Sequence, residues 1–283
     1  MYNPPTMSKN DTLQRFIFEN KPIRGVLIHL SASFSAITSL HAYPESINNL
    51  LGEALASAAI LCSGLKTEGR LTVQFQGTGA VKLLTASCTH ENHLRGLAEY
   101  DDTADDMDLT QALKAGKLAI TFTPDKGKPY QGIVDIEHGA IPRAIETYLT
   151  QSEQLQSRLF LHTTATNVSG LFLQVLPGPK TENDIEHIMI LAETLTEYEL
   201  ATFDNATLLH RLFHEENIRL FDEESLSFRC TCSRERSENA IRLMGKSEIN
   251  AILRENHVVD VCCEFCNAHY VFKRLDVENI FGV

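Results

Sequence analysis

Apolar and polar residues alternate over short stretches in the first 180 positions, and between those stretches apolar residues recur every three or four positions. Phe16 and Phe18 alternate with polar neighbours, and residues 23–30 continue apolar past Gly25, which predicts two strands. Pro44 then opens a long periodic stretch through Ile47, Leu50, Leu51, Ala54, Leu55, Ala58 and Leu61 that stops at Gly64. That period predicts one buried helix. Leu71, Val73 and Phe75 alternate again, and residues 81–86 follow across the Gly77-Thr-Gly79 turn. Residues 117–123 and 130–136 flank Pro124-Asp-Lys-Gly-Lys-Pro129, a hairpin connection. Residues 141–153 read as helix, with strands at 157–165 and 171–176 on either side of a turn at 167–170. Strands and helices in mixed order, without regular alternation, predict an α+β fold with a mixed sheet and packed helices rather than a doubly wound parallel sheet.

Pro177-Gly-Pro179 continues neither strand nor helix and marks a boundary. The chain therefore divides into an N-terminal α+β core domain, 1–178, a helical linker, 179–229, and a small C-terminal domain, 230–283. Within the linker, Thr181 and Asp184 suit a capping box, and Ile185, Ile188, Met189, Ala192 and Leu195 repeat at helical spacing. Leu208, Leu209, Leu212 and Phe213 form a second stripe. Stripes this narrow depend for their stability on docking against something else.

Charge sharpens that division. The chain has 283 residues and a formal charge of -12, and residues 181–229 hold most of the excess, with 3 basic against 12 acidic side chains. An acidic chain repels phosphate backbones, and with no Trp and 7% aromatic residues there is little surface for stacking bases, so nucleic acid is not an expected partner. No apolar run approaches the roughly 18 residues of a membrane span, and residues 1–10 lack the apolar core of a secretory signal. A soluble cytoplasmic protein is expected.

Five of the seven cysteines lie in residues 230–283. Cys230-Thr-Cys232 and Cys263-Glu-Phe-Cys266 form a C-x-C and a C-x-x-C pair. The period of two in an extended chain turns both sulfurs of the first pair to one side, and a tight turn converges the second pair. Four thiolates suit tetrahedral zinc, so Cys230, Cys232, Cys263 and Cys266 are the candidate ligands. Residues 258–261 and 270–272 supply two strands of a knuckle, and residues 233–244 and 247–254, punctuated by Gly245, two short helices. So small a unit has little core, and the metal would supply much of its folding free energy. Arg229, Arg234 and Arg236 are placed to offset the charge of four thiolates. The spacing alone favours a static zinc knuckle, and it also fits a redox site whose oxidation within each pair releases the metal and loosens the helices before it.

These residues resemble the redox-regulated heat-shock chaperone family, the 33 kDa chaperonins. The resemblance runs from about Asp11 to Phe281 and rests on Cys230-Thr-Cys-Ser-Arg-Glu-Arg236, Cys263-Glu-Phe-Cys-Asn267, Gln151-Ser-Glu-Gln-Leu155, Gly170-Leu-Phe-Leu-Gln-Val-Leu-Pro177 and Lys128-Pro-Tyr-Gln-Gly-Ile-Val134. It implies an ATP-independent holdase that is inactive when reduced and zinc-bound. On oxidation it would form two disulfides, one within each motif, release zinc, unfold its linker and bind unfolding client proteins, commonly as a homodimer. Three departures accompany the resemblance: Gln156 where the family usually has Pro, His257 where Gly is common, and the extra thiol Cys262, which strand alternation turns away from the metal.

Weaker signals carry less. Cys88-Thr-His90-Glu-Asn-His93 has metal-binding residue types at no recognisable spacing and reads as a polar loop, while Cys62 reads as an inert buried thiol. His210 and His214 share a helical face, but Arg211 stands where a zincin needs Glu. Gly245-Lys-Ser247 lacks the earlier glycine of a phosphate loop, and Asp101, Asp102, Asp105, Asp106 and Asp108 lack the spacing of a calcium loop. No catalytic constellation assembles, so no enzyme is expected. The competing functions are a thiol-disulfide oxidoreductase using Cys263 and Cys266, for which strand-like flanks are unsuited, a static zinc-knuckle interaction module, and a nucleic-acid-binding zinc module.

Overall fold

The computed structural model describes residues 11–101, 109–137, 139–178 and 182–282. The chain forms two compact units, the first ending at Phe228 and the second starting at Arg229. In chain order the first unit runs Thr12–Phe18 (β1), Ile23–Leu30 (β2), Ala32–Thr38 (α1), Glu45–Cys62 (α2), Gly69–Gln76 (β3), Val81–Thr89 (β4), His93–Tyr100 (β5), Leu109–Leu113 (α3), Lys117–Pro124 (β6), Tyr130–Asp135 (β7), Ile141–Ser152 (α4), Ser157–Thr163 (β8), Val168–Val175 (β9), Glu182–Glu193 (α5), Glu197–Thr202 (α6), Asn205–Phe213 (α7), Ile218–Ser225 (β10) and Ser227–Phe228 (β11). One sheet has the order β10-β1-β2-β9-β8, the other β11-β5-β4-β3-β6-β7, and the pairing is antiparallel except for β11 with β5. The α+β expectation is met.

The helix expected after Pro44 organises this unit. α2 touches β3, β4 and β5 of one sheet and β2, β8 and β9 of the other. Ile47, Leu51, Leu55 and Ile60 are buried on it, and so are Ala54, Ala56, Ala58 and Ala59, whose small side chains let both sheets approach one helix. The outer face of the five-stranded sheet is covered by the acidic segment. Phe16, Phe18, Ile23, Leu27, Leu171 and Leu173 form one core with Ile185, Ile188 and Met189 of α5, Leu200 of α6, and Leu208, Leu212 and Phe213 of α7. The docking partner that the narrow stripes require is therefore this sheet.

Of the segment expected as a helical linker, 179–229, the described residues up to Phe228 pack in the first unit and also contain strand: β10 pairs with β1 along the sheet edge. Thr181 lies outside the described residues, as does the side chain of Asp184, so the expected capping box is not seen; α6 has one, with Thr196 and Glu199 bonded reciprocally. The turn expected at 167–170 is shorter, because Val168, Ser169 and Gly170 already pair with β2. The loop expected around residues 88–93 narrows to residues 90–92, with Cys88 inside β4 and His93 opening β5. Of the acidic cluster, Asp102, Asp105, Asp106 and Asp108 lie outside the described residues, and Asp101 pairs with Lys82 at 3.3 Å.

The second unit consists of Arg234–Met244 (α8), Lys246–Asn256 (α9), Val258–Cys262 (β12), His269–Lys273 (β13) and Arg274–Phe281 (α10). Gly245 separates the helices at φ 90°, which glycine adopts without cost. Ile241, Ile249, Leu253, Val259, Phe272 and Val277 form its small core. His257 ends α9 in the left-handed region at φ 64°, the conformation in which glycine is favoured at a helix C-terminus.

Candidate metal centre

Cys230 and Cys232 lie on the extended stretch before α8, and local bonds fix that stretch. Ser233 caps α8 by accepting from the Arg236 backbone N–H at 3.2 Å, and Arg236 reaches back to donate to the Thr231 carbonyl at 2.6 Å and hydroxyl at 2.7 Å. Cys263 and Cys266 lie on the turn between β12 and β13. There the Cys263 carbonyl accepts from the N–H of Cys266 at 3.2 Å and of Asn267 at 2.7 Å, and the Cys263 N–H donates to Ala268 at 2.9 Å. Asn267 takes φ 53° to close the turn.

All four sulfurs lie within 4.8 Å of one another, with Cys230 to Cys263 at 3.7 Å and Cys232 to Cys266 at 3.4 Å. The edge of a sulfur tetrahedron built on zinc–sulfur bonds of about 2.3 Å is about 3.8 Å, so the donor set and its spacing suit a soft, tetrahedral metal ion. The four cysteines can hold one. Cys262 is exposed and outside the cluster, as strand alternation requires.

The thiols are not equivalent. Burial raises Cys232, but hydrogen bonds from the Tyr270 hydroxyl at 3.2 Å and from the Cys266, Cys230 and Cys263 thiols outweigh it and bring it down to about 7. Burial pushes up both Cys230 and Cys266; the thiol neighbours add to the rise at Cys266, while at Cys230 the Cys232 and Cys263 thiols raise it and the Cys266 thiol lowers it. Tyr270 itself is pushed up to about 12, first by its bond to Cys232. The cluster thus favours one thiolate, at Cys232, held by donors around it. Tyr270 was not legible as a site residue, because only the register Val261 opposite Tyr270 brings it there. Two of the arginines expected beside the sulfurs also hold local structure: Arg236 holds Thr231, while Arg234 stacks over the Phe272 ring at 4.2 Å, donates to the Val271 carbonyl at 3.0 Å and pairs with Asp276 at 3.3 Å. They fix the backbone around the sulfurs.

Other candidates remain apart from this centre. His210 and His214 stack edge-on at 6.2 Å, and His214 is exposed. Cys62 is buried and donates to the Cys88 carbonyl at 3.3 Å. His90 lies beside Glu68 and Asp125 at one end of the six-stranded sheet, an exposed trio gathered from three strand ends.

A two-sheet α+β unit followed by a small unit with four converging thiols defines the class: a two-unit protein whose second unit carries a cysteine cluster that could hold a metal ion. A family model described as Hsp33 protein matches residues 11–273. Two relatives named 33 kDa chaperonin are each 42% identical: one from Shewanella sp. over 274 residues, 96% of both chains, and one from Nitrosococcus oceani over 278 residues, 97% of this chain and 96% of the other. The crystal structure of the 33 kDa chaperonin of Thermotoga maritima, 20% identical, superposes with a TM-score of 0.86 over 96% of this chain and 98% of that one, which shows the shared fold. The chain belongs to the Hsp33 family.

Proposed function

We propose that this protein is a redox-regulated, ATP-independent holdase that binds unfolding proteins under oxidative stress, with Cys230, Cys232, Cys263 and Cys266 as zinc ligands and as the switch. The observation that carries the reading is the convergence of four thiols, one of them favoured as a thiolate, on a unit whose own core is six side chains. Bound zinc supplies charge that keeps all four sulfurs deprotonated, the form that oxidants attack.

Each pair then gives up two electrons as one sulfur–sulfur bond forms, Cys230 with Cys232 and Cys263 with Cys266. Two hydrogen peroxide molecules accept the four electrons and leave as four hydroxide ions, and the sulfurs no longer hold the metal. Loss of the metal unfolds the second unit, because its folding and metal binding are one equilibrium. The acidic segment 179–229 follows as the linker, exposing Ile185, Ile188, Leu208 and Leu212 together with the sheet face beneath them to clients. The oxidised protein acts as a homodimer in the cytoplasm. No helix among the described residues is long and apolar enough to cross a membrane, which is in keeping with that placement.

The test is light scattering from a thermally unfolding protein without ATP. The oxidised, zinc-free chain is expected to suppress scattering and the reduced, zinc-loaded chain is not. Zinc retention through oxidation, with neither form active, would leave a static knuckle; reduction of insulin by the chain would favour an oxidoreductase instead.

A further inference from the structure

A cavity of about 270 Å³ opens in the first unit where the end of α2 meets β3, β6 and α4. Ile60, Leu71, Ile120, Phe122, Leu149 and Phe172 give it apolar walls. Only two charged side chains line it, Arg24 and Glu153. Glu153 accepts from the Tyr148 hydroxyl at 3.4 Å, which gives the carboxylate a partner on the wall.

Among the described residues Arg24 has no anionic partner. Its Nε donates to Gln174 Oε1 at 2.9 Å, and among the described residues no carboxylate lies within ion-pair distance of the guanidinium. Gln174 is fully buried, 2% exposed, and its own amide reaches Ser157 Oγ at 3.5 Å, so the arm that aims Arg24 is built into the sheet. Gly64 makes room on the other side: a Cβ there would lie 2.6 Å from Arg24 Nη2. The nearby end of α2 offers partial negative charge, which favours a cation without neutralising it. Burial disfavours the charged guanidinium, and Arg15 works in the same direction. A partly buried guanidinium without a counter-charge is costly, and a carboxylate arriving on its free edge offsets that cost with charge-assisted bonds.

The geometry points to a binding site for a small carboxylate with an apolar tail: the carboxylate lies on Arg24, and the tail packs against Ile120, Phe122 and Phe172. The cavity has the apolar lining of small-ligand pockets and, at about 270 Å³, falls just below their usual range of roughly 300–1,000 Å³, which selects a short alkyl or aryl acid over a long lipid. The same chemistry has two sources, a free medium-chain acid and the terminal carboxylate of a peptide ending in an apolar residue. The site lies in the first unit and does not involve the cysteines, so it is independent of the redox reading.

Isothermal titration calorimetry on the full reduced, zinc-loaded chain tests it, with octanoate, 1-octanol, octyltrimethylammonium and N-acetylleucine as probes. Octanoate is expected to bind once per chain and at least tenfold tighter than 1-octanol, and octyltrimethylammonium to give no binding heat. Arg24→Gln is expected to lose at least tenfold for octanoate while binding 1-octanol as before. Leu65→Trp, at the rim, is expected to weaken both. Tighter binding of N-acetylleucine than of octanoate assigns the peptide end as the source, the reverse order the free acid, and both uphold the site. Equal affinity for octanoate and 1-octanol, no binding of either, or an Arg24→Gln chain that binds octanoate like the parent would overturn it. Should Arg24→Gln fail to fold, the octanoate to 1-octanol ratio and Leu65→Trp decide alone.

Discussion

Glu53 lies on α2 between the two sheets, and burial pushes its carboxyl from the ordinary 4.5 up to about 7. In the unfolded chain it ionises near 4.5, so between these values the unfolded chain holds fewer protons and stability falls as pH rises. Below pH 4.5 the cost is absent; above pH 7 it is complete, at about 3 kcal/mol from the separation of the two values. Glu53→Gln is therefore expected to raise the free energy of unfolding of the first unit by about 1–3 kcal/mol at pH 8 and by less than about 1 kcal/mol at pH 5. Urea unfolding at both pH values checks this, and a gain of equal size at both would show that packing, not charge, is responsible. The cysteine centre was the most legible residue-scale feature, because C-x-C and C-x-x-C carry their geometry in their spacing. Tyr270 and Arg24 carry no such local mark: each acquires its position only from a partner strand.

At the scale of elements, period and length decided what could be read. α2 announced itself over 18 residues, whereas α6 has only six and its apolar stripe is too short to register. β10 begins with Ile218-Arg-Leu-Phe221 and then turns to Asp222-Glu-Glu-Ser225, so its alternation fails where β1 supplies the pairing instead. The helices α5 and α7 were legible as stripes, but the sheet face they cover was not. Their attachment combines apolar contact, with Phe213 edge-on to Phe18 at 5.2 Å, and a buried polar chain. In that chain His29 Nε2 lies 2.8 Å from Asn205 Oδ1, Asn205 donates to Gln14 at 2.8 Å, and Gln14 donates to the Phe221 carbonyl at 2.8 Å. Phe213→Ala removes a fully buried ring at a cost of about 3–5 kcal/mol, borne by the contact between α7 and the sheet. Hydrogen exchange is expected to quicken in residues 182–213 while α2 keeps its protection. The reduced, zinc-loaded variant is also expected to suppress some scattering of a test client. Unchanged exchange would show that the segment's hold does not pass through α7, and quickened exchange without suppression would remove this face from the client-binding surface.

At the scale of the whole molecule, two compact units have different sources of stability. The first has a continuous core around α2 and a second core under the acidic helices; the second unit has six buried apolar side chains and four converging thiols. A core that small does not hold three helices and a hairpin against the roughly 1–2 kcal/mol of backbone entropy lost per ordered residue, so the metal is expected to supply the difference. The purified reduced chain is expected to carry one zinc ion. Chelation under reducing conditions is then expected to abolish hydrogen-exchange protection in α8, α9, β12 and β13 while α2 and β3 keep theirs. Peroxide treatment is expected to give the same pattern with four thiols lost and peptides cross-linked within 230–232 and within 263–266. The closest sulfurs in the folded centre are Cys230 with Cys263 and Cys232 with Cys266, so peptide mapping is decisive. Bridges between the two motifs would staple the extended stretch to the hairpin and keep the second unit folded, which would make the centre a lock. Bridges within each motif leave no covalent or metal link between the two stretches once the metal has gone, only contacts such as that of Arg234 with Val271, and only in that case is oxidation expected to release the unit.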